Sequence, residues 1–273
     1  MPPSTARDDQ PRPRRLAGVD ELSSLAPDDP YVQQLTSDPA RVAQAWAGAD
    51  GCLAWLVDSR RHPGSGHVVV IGPEPATVDL LVALLDPLDG LGDRVTSASL
   101  PQGAPRLLPA AYGMDPANDW EWFATSAPPP VQDGEDRVRW LAEVATDPDG
   151  ATAREVVELL HTHSGRHDAE PGQEHARRWC GVRDGTGRLV AIAAHTEFTA
   201  GVPFLASVAT VSDVRGQGLG SAVTGWLTRR LLDEGNRWVT LGMYSDNDVA
   251  RRIYQRLGFT CWHAFTSGRL VRR

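Results

Sequence analysis

Apolar and polar residues along the chain fall into two periods. "CLAWLVDS" (52–59) and "HVVVIG" (67–72) are short, dense apolar runs bounded by turn residues and read as strands. "ATVDLLVALLD" (76–86) has helical spacing, "DWEWFA" (119–124) alternates like a strand, and 31–47 reads as helical. Farther on, "RVRWLAEV" (137–144) reads as a strand and "GATAREVVELLHTH" (150–163) as an amphipathic helix. Residues 177–198 form a hairpin turning at Asp184-Gly185-Thr186-Gly187. "FLASVATV" (204–211) is a strand that runs into "DVRGQGLGSAV" (213–223). A helix follows, with Leu219, Ala222, Val223, Trp226, Leu227 and Leu231 on one stripe and Gly235 at its C-terminal cap. "RWVTLGM" (237–243) is the next strand. A short helix then starts near Asn247 and stops at Gly258, and "FTCWHAF" and "GRLVRR" are terminal strands.

The Pro- and acid-rich "TSAPPPVQDGED" (125–136) reads as a linker region dividing the chain. The Pro-, Arg- and Asp-rich start has no apolar core; it is expected to be a disordered lead-in, not a secretory signal. Net charge is −8, which argues against non-specific nucleic-acid binding, and no apolar run reaches a membrane span. The three cysteines, Cys52, Cys180 and Cys261, are scattered without a CxxC pair. A reducing cytoplasm is therefore expected, without a disulfide framework and without a covalent cysteine relay. The chain has no lysine, which removes Schiff-base chemistry and the Walker lysine.

Three glycines in five positions, Gly216, Gly218 and Gly220, follow Arg215. A dinucleotide fingerprint fails because Ser221 stands where its third glycine belongs, and a Walker loop fails for want of lysine. What remains is an anion cradle: backbone N–H groups at a helix start, bared by glycine, with an arginine beside them. The strand–loop–helix at "VVVIGPEPATVDLL" (68–81) is ill suited to that job. Pro73 and Pro75 lack N–H donors and Glu74 repels anions.

Arg215-x-x-Gly218-x-Gly220 at a helix start, followed by Asn247, then Tyr254, then Leu257-Gly258-Phe259, resembles the acetyl-CoA-binding half of the GNAT superfamily of N-acetyltransferases. The resemblance covers about 137–273. The whole resembles tandem members of the glycine N-acyltransferase-like branch. It implies an α/β (α+β) fold: a mixed, mostly antiparallel sheet flanked by helices, in two tandem halves. The expected layout is a lead-in at 1–28, a degenerate GNAT-like domain at 29–130, a linker at 131–136 and a catalytic domain at 137–273.

The resemblance also implies transfer of an acetyl or small acyl group from acetyl-CoA to a small-molecule or peptide amine, by direct attack in a ternary complex. The expected cofactor contacts are Ala209, Thr210 and Val211 on the strand, Arg215, Gly216, Gln217, Gly218, Leu219, Gly220 and Ser221 in the loop, and Asn247 and Arg251 on the later helix. Tyr254 is the expected acid, since a phenol keeps its proton at neutral pH. "VPFLASVATV" holds no carboxylate, so His195 and Glu197, alternating on the preceding strand, are the candidate bases. That missing carboxylate also supports a non-catalytic CoA-binding module as the alternative. His161, His163, His167 and His175 lack HExxH spacing, so contact with the acceptor is expected there and no metal. A cytoplasmic monomer or homodimer with no membrane or nucleic-acid partner completes the expectation.

Overall fold

The computed structural model describes residues 12–59, 62, 64–86 and 91–273. Its contacts define two units. The first takes in the described residues up to Glu121 with Tyr244–Asp246 and His263–Arg273; the second is Trp122–Met243 with Asn247–Trp262.

The first unit begins with β1 (Arg14–Arg15), α1 (Val19–Leu25), α2 (Pro30–Gln33) and β2 (Val42–Ala47). It continues through β3 (Leu53–Asp58), β4 (Gly66–Ile71), α3 (Glu74–Leu84), β5 (Val95–Pro101) and the start of β6 (Tyr112–Thr125). β1 to β4 are an antiparallel meander; α3 then returns the chain to β5, which runs parallel to β4. The last strand of the chain pairs antiparallel with β5, Gly268 opposite Ala98. Leu80, Leu81 and Leu84 of α3 pack on Val68 and Val70 of β4 and Ala98 of β5.

Two expectations fail here. Residues 31–47 are not one helix. Asp29 Oδ1 caps a single turn by accepting from Tyr31 N (2.9 Å), two 3₁₀ turns follow, and residues 42–47 join the sheet with Trp46 opposite Ala54. Pro39 lacks the N–H that a continuing helix needs and holds Asp38 out of the helical region. Residues 14–15 and 19–25, expected in a disordered lead-in, form β1 and α1; residues 1–11 of that lead-in lie outside the described residues.

The second unit contains β7 (Arg139–Trp140), α4 (Ala142–Thr146), α5 (Ala151–His163), β8 (Ala176–Arg183), β9 (Leu189–Thr199) and β10 (Val202–Thr210). After these come α6 (Leu219–Asp233), β11 (Val239–Tyr244) and α7 (Asp248–Arg256); the final strand β12 (Thr260–Arg272) belongs to the first unit from His263 on. The sheet order is β7-β8-β9-β10-β11, antiparallel except for the parallel β10–β11 pair. Both units therefore run an antiparallel meander, a helix, then a strand parallel to the last of the meander. The β8–β9 turn is held by Asp184 Oδ1, which accepts from the N–H groups of Thr186 and Arg188. The strand expected over 137–144 shrinks to two residues, and Ala142 opens a short helix. Leu160 of α5, Ile192 of β9 and Val223, Leu227 and Leu231 of α6 meet in the core.

Candidate active site

β10 changes character at Ser207, whose φ is +51°. On one side Ala206 pairs with Ala194 and Ala209 with Ile192, so β10 spends one residue more than β9 between those pairs, a β-bulge. On the other side β10 meets β11 only at Phe204–Thr240 and Leu205–Leu241. Beyond Leu205 the parallel strands are unpaired, and the backbone of Ala209 and Thr210 faces a gap in the ladder. Val211, buried, closes the strand by donating its N–H to Val190 O at 3.0 Å.

The chain then makes a 3₁₀ turn at Ser212–Val214 and enters the glycine loop. Gly216 and Gly218 have φ of +82° and +79°, which L side chains rarely adopt, and a Cβ at either position would touch nothing within 4 Å. Conformation rather than crowding requires glycine, and the backbone stays bare toward solvent. Gly218 is the N-cap of α6 and offers no side-chain cap. The intrahelical ladder starts with Ala222 N–H on Gly218 O (2.9 Å), so the N–H groups of Leu219, Gly220 and Ser221 belong to the open first turn. The Leu219 side chain turns into the core, while Gln217 is exposed. A Cβ on Gly220 would meet only Thr210 Oγ1, at 3.5 Å, an ordinary contact, so the space there does not require glycine.

Arg215, expected to offer its charge to the ligand, is engaged with the protein. Its Nη2 donates to His163 O (2.6 Å) and its Nε to Thr210 O (3.2 Å). His163 also receives Ser212 N–H on Nδ1 (3.4 Å). The end of α5 is thus braced against the loop that leads to the glycines.

On α7, Asn247 caps the helix by accepting Ala250 N–H on Oδ1 (3.1 Å), and Arg251 pairs with Asp248. Tyr254 is buried, its ring between Phe123 and Phe259 at centroid distances of 6.2 and 6.1 Å. Burial pushes its pKa up to about 12, so the phenol holds its proton throughout the physiological range.

The two candidate bases share one face of β9. His195 Nε2 lies 3.7 Å from Glu197 Oε1, beyond hydrogen-bond reach, and has no hydrogen-bond partner although it is buried. Nδ1 of His195 accepts from Arg178 (3.4 Å), whose guanidinium also grips Glu234 at 2.8 and 2.6 Å. The ring proton therefore sits on Nε2, and His195 is a donor there, not a base. Burial first, then the Arg178 charge, lowers its pKa to about 4, so the ring is neutral. Glu197 Oε2 is held by Arg177 at 3.1 Å, which leaves Oε1 turned toward His195. The structure brings these two residues together, but no hydrogen bond or ion pair joins either to Tyr254 among the described residues. Cys180 and Cys52 are buried with pKa values raised to about 12 and about 11, chiefly by burial, so neither is a thiolate at neutral pH.

Three roles are not legible in the sequence. Ser207 carries no sign of a bulge, being neither Gly nor Asn. His163 and Arg178 act on partners 52 and 17 residues away.

Residues 135–259 match the family model described as "Acetyltransferase (GNAT) family". No curated protein matches the chain. Among solved structures, a GCN5-related N-acetyltransferase from Sphaerobacter thermophilus is similar with a TM-score of 0.55 and 18% identity, over 92% of this chain and 89% of that one. A GCN5-related N-acetyltransferase from Kribbella flavida is similar with a TM-score of 0.50 and 20% identity, over 80% and 86%. These likenesses are of fold, a mixed and mostly antiparallel sheet flanked by helices. No helix among the described residues is long and apolar enough to cross a membrane.

Proposed function

We propose that residues 135–259, which match the acetyltransferase (GNAT) family model, are the catalytic part of a chain that moves an acetyl or small acyl group from acyl-coenzyme A to the amine of a small molecule or peptide, within a ternary complex in the cytoplasm. The glycine loop carries this reading. Gly216 and Gly218 in left-handed conformation, at the first turn of an uncapped helix, present bare N–H groups where a diphosphate is best held. Bound acyl-coenzyme A would supply a thioester carbonyl open to an amine, and the edge of β10 at Ala209, which β11 leaves unpaired, suits its amide-bearing arm.

The protein's own groups then divide the work. Arg215 is a positioning residue that fixes the loop through His163 O and Thr210 O. Tyr254 keeps a phenolic proton available for the departing thiolate. Glu197 receives the amine proton through water, with Arg177 fixing one carboxylate oxygen. His195, neutral with its proton on Nε2, orients that water as a donor. The family match favours an enzyme over a CoA-binding module without activity. The matching meander–helix–parallel-strand order of the two units supports tandem halves. The first would be degenerate, since Pro73 and Glu74 occupy the place of its glycine loop.

The test is thiol release from acetyl-CoA in the presence of a panel of amines, beside calorimetric titration with coenzyme A. Binding with amine-dependent thiol release is expected. No binding of coenzyme A would overturn the proposal; binding without release for any amine would favour the module.

A further inference from the structure

The end of α5 and the loop after it bring three ligand-type side chains to one point. Glu170 Oε1 lies 2.9 Å from His161 Nε2 and 2.7 Å from His167 Nε2. The three donor atoms all lie within 4.8 Å of one another. We propose that His161, His167 and Glu170 bind one divalent transition-metal ion of the zinc class, tying the last turn of α5 to the following loop.

Two imidazole nitrogens and a carboxylate oxygen are a donor set that zinc takes readily. The tautomer of His167 makes the stronger argument. Its Nδ1 is 3.1 Å from Ser164 O, a carbonyl that can only accept, so Nδ1 carries the proton. In the neutral ring the Nε2 lone pair would then face the carboxylate oxygen at 2.7 Å, which is repulsive. Something positive belongs between them, a second proton or a metal ion. A ring nitrogen fixed by a backbone carbonyl while the other faces a carboxylate is also the outer-shell arrangement of metal-bound histidines.

The surroundings suit an ion. The His161 and His167 rings stack, with centroids 5.4 Å apart and planes 27° from parallel. Tetrahedral zinc with bonds of about 2.0–2.1 Å needs donors roughly 3.3–3.5 Å apart, so the two histidine–carboxylate distances must each open by roughly half an ångström. The His161 side chain, 59% exposed, is free to move that far, and its exposure gives the ion an entry path and an open fourth position. The loop is held without the ion. Ala169, between the two loop ligands, has both backbone groups on Ser207 Oγ at 3.0 and 2.8 Å. His163 lies outside the group of three, its Nδ1 engaged by Ser212. The HExxH spacing test missed the site because it looks along one helix, whereas His161 leaves α5 and the other two ligands return on the loop.

The test uses full-length protein stripped with a chelator, titrated calorimetrically with Zn²⁺ and spectroscopically with Co²⁺. One equivalent of each is expected. Bound Co²⁺ should show the intense visible bands of a low-coordinate site, and Zn²⁺ should remove them. His161→Asn, His167→Asn and Glu170→Gln should each weaken binding at least ~10-fold, and His175→Asn, in the same segment but outside the triad, should not. Absence of binding would overturn the proposal in favour of a protonated triad. Equal weakening by His175→Asn would overturn it in favour of general capture by surface histidines. If a loop-ligand variant fails to fold by circular dichroism, the exposed His161→Asn decides alone. The outcome is independent of whether coenzyme A binds.

Discussion

The hydroxyl of Ser207 accepts a hydrogen bond from Ala169 N–H at 3.0 Å and donates one to Ala169 O at 2.8 Å. One side chain at the bulge of β10 thus satisfies both backbone groups of a buried loop residue. Ser207→Ala should cost about 2–4 kcal/mol in denaturant unfolding, since two buried polar groups lose their partner. Ser207→Gly should be milder by about 1 kcal/mol, because it relieves the positive φ. Wild-type stability in the alanine variant would show that the pair is not needed.

Gly216→Ala with Gly218→Ala strains two left-handed positions by about 1–2 kcal/mol each but meets no neighbour. The fold should survive by circular dichroism, while KM for acetyl-CoA rises at least ~10-fold through lost backbone contacts. An unchanged KM would remove the loop from the donor site.

Tyr254→Phe keeps a ring packed between Phe123 and Phe259 and deletes only the proton donor. Steady-state kinetics should show kcat lower by about 100-fold, with KM for acetyl-CoA little changed. Comparable losses in both constants would reduce Tyr254 to a packing role.

His195 binds its proton with a pKa of about 4 when folded, against about 6.5 for a free imidazole. Between those values the unfolded chain holds more protons, so acid favours unfolding. Its contribution is complete above about pH 6.5 and is lost as the pH falls toward 4, by at most roughly 3 kcal/mol. His195→Gln should flatten that part of a plot of unfolding free energy against pH. An identical slope in the variant would contradict the assignment.

Glu135 is buried against Arg229 of α6, and Arg229 Nη1 also donates to Pro129 O and Pro130 O, so the pair fastens the proline-rich segment to the helix. Gly225 makes the space: a Cβ there would sit 2.9 Å from Glu135 Oε1. Glu135→Ala leaves a cation short of its partner and should destabilise by about 3 kcal/mol. Gly225→Ala should destabilise in the same direction by less. Both are read by thermal unfolding, and neutral variants would mean that water replaces the pair.

What the sequence by itself determined is local. The glycines of the loop, the Asn247 cap, the apolar stripe of α6 and the Asp184 turn depend on φ, side-chain reach and helical period within a few residues. The structure has each of them where the residues put it. The stretch at 42–47 shows the limit: its spacing reads as helix, but Pro39 and pairing with Leu53–Val57 make it a strand. Only the tertiary structure decided that Arg215 braces His163, that Arg178 sets the His195 tautomer, that Ser207 is the bulge, and that His161 meets His167 and Glu170. These relationships join atoms from different elements, and their geometry exists only after the sheet and helices have packed. A carboxylate three residues from one histidine and nine from another reads as loop composition until the chain folds back and places it within hydrogen-bond distance of both.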